Sequence, residues 1–252
     1  MKQLVRKVMS SLAAVTLLGS LVMAQAAGAG RYDTQIQQQV VHKLADKKQF
    51  RNVQATAEDG IVTLHGTVDV YQDKLDAAKK AKVERSTGVR NLIEVAGVKV
   101  PDAQLQAKLN EKLYYDRVGY DNAFDYITVS VNNGVATLSG DAFNDVARDS
   151  ALAIVQRMPG VKDVVDNVAV SPASMMDDSV RVRALRALYN DPVLGKYATD
   201  PALPIRIIVN RGTLSLYGTV ESAMDKQVAG MRANQVFGAF RVENHLTVAN
   251  ES

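Results

Sequence analysis

Chemistry in this chain would have to come from a short inventory of side chains. The histidines are His42, His65 and His245, and there is no cysteine in 252 residues. Three scattered imidazoles lack the close spacing and thiolate partners from which zinc sites are built, so no metal is expected. Ser139-Gly140 and Ser215 stand outside any Gly-x-Ser-x-Gly elbow, the turn that presents a serine nucleophile. Asp69, Asp73 and Asp76, like Asp141, Asp145 and Asp149, could pair as acid and base. Their places at the starts of helical segments suit them equally to the positive end of a helix dipole. Gly60, Gly66, Gly134 and Gly140 bound turns and strands, and none opens a phosphate-cradling loop. The inventory points away from an enzyme, a cofactor or a small-molecule substrate.

What remains is surface. "DKLDAAKKAKVERS" carries Lys74, Lys79, Lys80, Lys82 and Arg85. On one helix these could meet anionic headgroups at about 1 kcal/mol per well-placed cation; Asp73, Asp76 and Glu84 could instead balance them on a solvated face. "KLYYDRVGYDNAFDYITV" concentrates Tyr114, Tyr115, Tyr120, Phe124 and Tyr126, echoed by Tyr189, Val193, Leu194 and Tyr197. Most of these rings are expected between helix and sheet. The remainder, with Tyr115, Tyr120, Phe124 and Tyr197 as candidates, could form a rim for a partner.

The elements that position these residues are written three times. "EDGIVTLHGTV", "NNGVATLSGDAF" and "NRGTLSLYGTV" share two glycines at one spacing: Gly60 and Gly66, Gly134 and Gly140, Gly212 and Gly218. Alternating apolar residues flank each first glycine: Val53/Ala55/Ala57 and Val62/Leu64, Ile127/Val129/Val131 and Ala136/Leu138, Ile205/Ile207/Val209 and Leu214/Leu216. Period two marks half-buried strands. The intervening Asp-Gly, Asn-Gly and Arg-Gly pairs predict tight hairpin turns. Ala-rich helices are predicted next over 70–86, 144–158 and 221–236, with Asn144 or Asp145 and Ser222 as N-caps.

Each helix leads to a glycine, Gly88, Gly160 or Gly238. Counted from it, a third strand has Leu92/Ala96/Val98, Val164/Val168/Val170 or Val242/Leu246/Val248 facing inward. Glu94, Asp166 and Asn244 interrupt that face. Upstream of each hairpin a helical stripe recurs: Ile36/Val40/Val41/Leu44, Leu105/Leu109/Leu113 and Val182/Leu185/Leu188. Helix, strand, strand, helix, strand is too long for a solenoid repeat, so three small α+β sandwiches are expected at 31–100, 101–171 and 177–250. In each, a three-stranded mixed sheet packs with two helices.

The start differs in kind. Lys2, Arg6 and Lys7, then apolar Leu12 to Met23, then Ala24-Gln25-Ala26 follow the order of a secretory signal peptide at 1–26. Cleavage is expected near Ala26, with Ala29 the alternative. The formal charge of +3 resides in that leader, so the mature chain is neutral and no nucleic-acid partner is expected. Within it, residues 31–100 hold 12 basic and 9 acidic side chains, and 101–176 hold 6 and 10. An exported chain without cysteine must be stabilised by burial alone.

The succession "G-[IV]-V-T-L-x-G-x-V", a helix, then "G-V-x-x-[LV]-x-[DEN]-x-[LAV]-x-V" resembles the BON domain, and all three copies carry it. The resemblance implies αββαβ folds, a periplasmic address and no enzymatic activity. It also implies binding to phospholipid surfaces or to other envelope proteins in osmotic or envelope stress. The second of these partners would suit a chaperone or scaffold.

Overall fold

The computed structural model describes residues 30–117 and 122–249; the leader expected at 1–26 and the rim candidate Tyr120 lie outside them. The chain divides into two compact units, one ending at Val98 and one beginning at Lys99. The first holds one copy of the repeat: α1 (Asp33–Ala45), β1 (Val53–Glu58), β2 (Ile61–Val68), α2 (Tyr71–Ala81), β3 (Gly88–Asn91) and β4 (Glu94–Val95). The second unit holds two. Its first copy comprises α3 (Asp102–Tyr115), β5 (Tyr126–Asn132), β6 (Val135–Ala142), α4 (Asp145–Gln156) and β7 (Asp163–Val170). The other comprises α5 (Met175–Tyr189), β8 (Arg206–Asn210), β9 (Thr213–Tyr217), β10 (Thr219–Val220), α6 (Ala223–Asn234), β11 (Arg241–Asn244) and β12 (Thr247–Val248).

Every copy has the expected mixed sheet. The hairpin is antiparallel, and the strand after the second helix runs parallel to the hairpin's second strand, which is therefore central. Asp59-Gly60, Asn133-Gly134 and Arg211-Gly212 all have φ between 50° and 80°, the type I′ geometry that matches strand twist. Asn144 and Ser222 cap α4 and α6 through side-chain oxygens, as expected. Ile36, Val40 and Leu44 are buried with Val62, Leu64 and Ala77 in the first core. Leu105, Leu109 and Leu113 fill the second.

Each first helix also carries in its first turn an aspartate that grips the hairpin turn of its own copy. Asp33 accepts from Asp59 N and Gly60 N at 2.9 and 2.8 Å, and Asp102 from Asn133 N and Gly134 N at 2.6 and 3.0 Å. Asp177 accepts from Arg211 N and Gly212 N, both at 2.9 Å. One carboxylate thus satisfies two turn donors that the sheet leaves without partners. Asp177 is the most enclosed of these clamps. Asp177→Ala is expected to lower stability by about 1.5–3 kcal/mol, read as a lower urea midpoint; Asp177→Asn, which keeps one acceptor, should fall between.

Three expectations are corrected. The helix predicted over 70–86 ends at Ala81, because Lys82 turns extended and Ser86 Oγ donates to Val83 O while accepting from Val83 N. Lys82 and Arg85 therefore lie beyond the helix. Gly88 is not the counterpart of Gly160 and Gly238. The amide following the turn donates to the turn glycine's carbonyl from Thr87, Lys162 and Phe240, at 2.8 Å each. Two residues before these stand Arg85, Gly160 and Gly238, with φ of 69°, 101° and 95°. The third strand of the first copy is thus offset by three. Ile93 is its buried residue, flanked by Val89 and Val95, while Leu92 and Val98 face solvent. The interrupting polar residue is Asn91, not Glu94. Asn91 Nδ2 donates to Lys74 O and Asn244 Nδ2 to Lys226 O. Asp166 cannot donate and faces Arg148 instead, at 3.9 Å. Finally, the buried stripe of α5 is Val180/Ala184/Leu188, with Val182 outside.

Candidate binding surfaces

The five cations proposed from the first copy do not form one face. Ala77 and Ala81 are the buried side of α2. At 3.6 residues per turn, Lys79 points away from that stripe while Lys74 and Lys80 flank it, half-buried. Lys82 is exposed just past the helix. Arg85 is held at the start of α1: its guanidinium lies 4.3 Å from the Tyr32 ring centroid and Nη1 donates to Gln35 Oε1 at 3.2 Å. Lys79, Lys82 and Arg85 are the exposed members. Beside Lys74, Asp73 is held above the ordinary carboxylate range, by burial first and then by Asp76 and Asp69, with Gln49 opposing.

The aromatics sort differently. Tyr115 is 58% exposed, available to a partner, and meets Tyr114 edge-on. Tyr197 is corrected to an interior residue: only 7% exposed, it donates through its hydroxyl to Asp225 Oδ2 at 2.8 Å and accepts from Glu221 N at 2.7 Å. Burial alone would raise the Asp225 carboxyl, but bonds from Lys196, Tyr197 and Ser222 hold it below its ordinary value. Phe124 is likewise spoken for, packed against the third copy's core and tilted on Phe143.

Phe124 belongs to a seam that joins the second and third copies. Tyr126 stacks on Tyr217 at 4.4 Å, and Tyr217 on His245 at 4.8 Å. Tyr114 donates to Asp200 Oδ2 at 2.8 Å; burial, then that bond, push its hydroxyl pKa up. Arg206 donates to Asn122 O. Arg181, fully buried in α5, lies 5.0 Å from the Phe143 ring centroid. Behind the seam, Arg117 Nη2 meets Asp125 Oδ2 at 3.0 Å and Ala147 O at 3.0 Å, and its Nε donates to Ser150 Oγ. Asp125 Oδ1 accepts from Phe143 N at 2.6 Å. Burial works against both charges, raising the Asp125 carboxyl and lowering the Arg117 guanidinium, while each partner opposes that effect in the other.

The seam leaves a cleft of ≈ 430 Å³ lined by Tyr114, Arg117, Asp125, Tyr126, Arg206 and His245 among others. It gathers an acid and an imidazole, each with partners of its own. Asp125 is consumed by Arg117 and the Phe143 amide, and His245 is stacked, its Nε2 3.3 Å from Glu243. Among the described residues no three His, Cys, Asp or Glu side chains converge to hold a metal.

The BON domain profile matches residues 32–97, 101–172 and 192–250. The chain belongs to the BON-domain family. Its three BON domains are binding modules, and α5 extends the third one N-terminal to the matched region, since Val180, Ala184 and Leu188 share a core with Ile207, Leu214 and Leu216. None of the curated proteins compared matches the chain in sequence. Solved structures with a likeness include CdsD, a structural protein of the type III secretion system of Chlamydia trachomatis. It is 16% identical over 84% of this chain and 90% of that one, with a TM-score of 0.25. Another is the periplasmic domain of the type III secretion inner-membrane protein PrgH from S. typhimurium, 10% identical over 82% and 99%, with a TM-score of 0.22. At these scores the likeness carries no argument about function or partners.

The exposed aromatics of the third domain escaped the sequence reading altogether. Phe237 and Phe240 are 83% and 84% exposed, although "FGAF" reads as a helix end with core residues on either side. The available signal was the comparison of copies, which hold Glu84 and Thr87, then Pro159 and Lys162, at the equivalent positions.

Proposed function

We propose that this is a non-enzymatic periplasmic protein that attaches to phospholipid surfaces through its tandem BON domains in envelope or osmotic stress. The observation that carries the reading is the threefold BON match over most of the chain. The leader at 1–26 supports the address, and the positive balance of residues 31–100, with Lys79, Lys82 and Arg85 exposed, supports attraction to anionic headgroups. Among the described residues no helix is long and apolar enough to cross a membrane, so attachment would be peripheral. The chain freed of residues 1–26 is expected to float with vesicles containing phosphatidylglycerol at low salt and to be released as salt screens the charges. No retention on anionic or zwitterionic vesicles at low salt refutes the proposal.

A second reading, a chaperone or scaffold for exported proteins, draws support from exposed apolar side chains of the second unit such as Val146 and Met231. It predicts suppressed aggregation of an unfolded client without vesicle binding.

A further inference from the structure

The three BON domains provide internal controls for one another. In each, the loop after the second helix crosses the hairpin turn with the same backbone bond, Thr87, Lys162 or Phe240 N to Gly60, Gly134 or Gly212 O. Each loop has a left-handed residue two positions earlier. On this shared frame the first domain carries Glu84 and Thr87, the second Pro159 and Lys162, and the third Phe237 and Phe240. Two copies fold without an aromatic ring at either place, and in the third copy both rings stand in water. Packing therefore does not account for them, and exposed apolar side chains gathered at one place mark an interaction site.

The rest of that end of the domain matches. Phe240 lies across the turn at Gly212, where an added Cβ would come within 2.4 Å of its ring. Arg211 is the exposed turn residue. Arg183 donates to Phe237 O at 3.1 Å, its guanidinium 5.6 Å from the Phe237 ring centroid. Met175 and Met176, also exposed, open α5 just before Asp177, which grips the same turn. Asp177 is engaged by the two turn amides and Asp178 by Arg181. Protruding aromatic rings beside cations suit the boundary between phosphate headgroups and acyl chains.

We propose that this end of the third BON domain is the part that enters an anionic phospholipid bilayer, with Phe237 and Phe240 below the headgroups and Arg183 and Arg211 against lipid phosphates. The inference rests on the phospholipid reading above and adds the surface that inserts. Vesicles of phosphatidylcholine with and without phosphatidylglycerol test it on the chain freed of residues 1–26. F237S/F240S should weaken partitioning onto the anionic vesicles by about tenfold or more, with thermal unfolding unchanged because both rings are exposed. F237L/F240L should retain most of the binding. The chain has no tryptophan, so F237W supplies a single reporter whose emission should shift to the blue on the anionic vesicles. If the unsubstituted chain binds while F237S/F240S binds equally and F237W does not shift, this inference falls and the phospholipid reading stands. If the unsubstituted chain binds neither vesicle, both fall. If F237S/F240S loses suppression of client aggregation yet keeps vesicle binding, the surface belongs to a protein partner and the inference is overturned.

Discussion

Gly140→Ala should unfold the second and third BON domains or leave them only marginally stable, with a loss above about 3 kcal/mol against a typical total of roughly 5–15. Gly140 has φ of 114°, a region closed to residues with a side chain. A Cβ there would lie 2.0 Å from the Tyr126 carbonyl oxygen, on the paired strand. Backbone cannot retreat from that contact without breaking the β5–β6 ladder, in which Gly140 faces Ile127. Gly66 and Gly218 meet Asn52 O and Pro204 O in the same way, at 1.9 and 2.0 Å, which explains why the second glycine of the repeated phrase recurs in every copy. Gly88→Ala is the control: nothing lies within 4 Å of its added Cβ, and its effect should stay within about 0.5 kcal/mol. Urea denaturation measures both, and loss of the near-UV signal from the Tyr126–Tyr217 stack would report the first directly.

Arg117→Met should cost about 3–5 kcal/mol, because it strands the buried Asp125 carboxylate instead of removing a pair together. The loss should depend on pH in a definite direction. Burial already raises the Asp125 carboxyl above its ordinary value of 3.8, and without the guanidinium it rises further. A group whose folded pKa is raised favours the folded state fully below its unfolded pKa, and that contribution disappears as pH climbs through the folded value. The deficit of Arg117→Met relative to the unsubstituted chain should therefore be largest at neutral pH and shrink towards pH of about 4. Thermal midpoints of the two proteins across that range provide the measurement. A deficit independent of pH would mean that Arg117 acts through packing and its bonds to Ala147 O and Ser150.

The seam explains why the largest effects concentrate in the second unit. Tyr114, Phe124, Tyr126 and Phe143 come from one domain and Asp200, Arg206, Tyr217 and Arg181 from the next, yet they bond and stack as one interface. Aromatic crowding around residues 114–126 was visible in the sequence as a feature seeking burial. Whether it would be met by the domain's own sheet or by a neighbour depends on distances that no local pattern carries. Tyr197 illustrates the same limit. A tyrosine in a polar, Pro-flanked insertion looks like a rim residue until Asp225 and the Glu221 amide are brought to its hydroxyl.

The threefold αββαβ plan was legible in the residue order, because hairpin glycines, period-two strands and capped helices are local rules expressed within a few residues of one another. The lack of cysteine likewise meant that burial, and no disulfide, must stabilise each domain. Local rules failed at the third strand of the first domain, where Gly88 offers a frame three residues away from the left-handed position at Arg85. A left-handed Arg85 took the place that glycine holds elsewhere, since its guanidinium could rest on Tyr32 and Gln35. That register, the fusion of the second and third domains, the three aspartate clamps and the exposure of Phe237 and Phe240 became fixed when the chain folded. Each depends on groups distant in sequence that meet only after folding, and it is their meeting, or its absence, that turns a residue type into a core, a clamp or a docking surface.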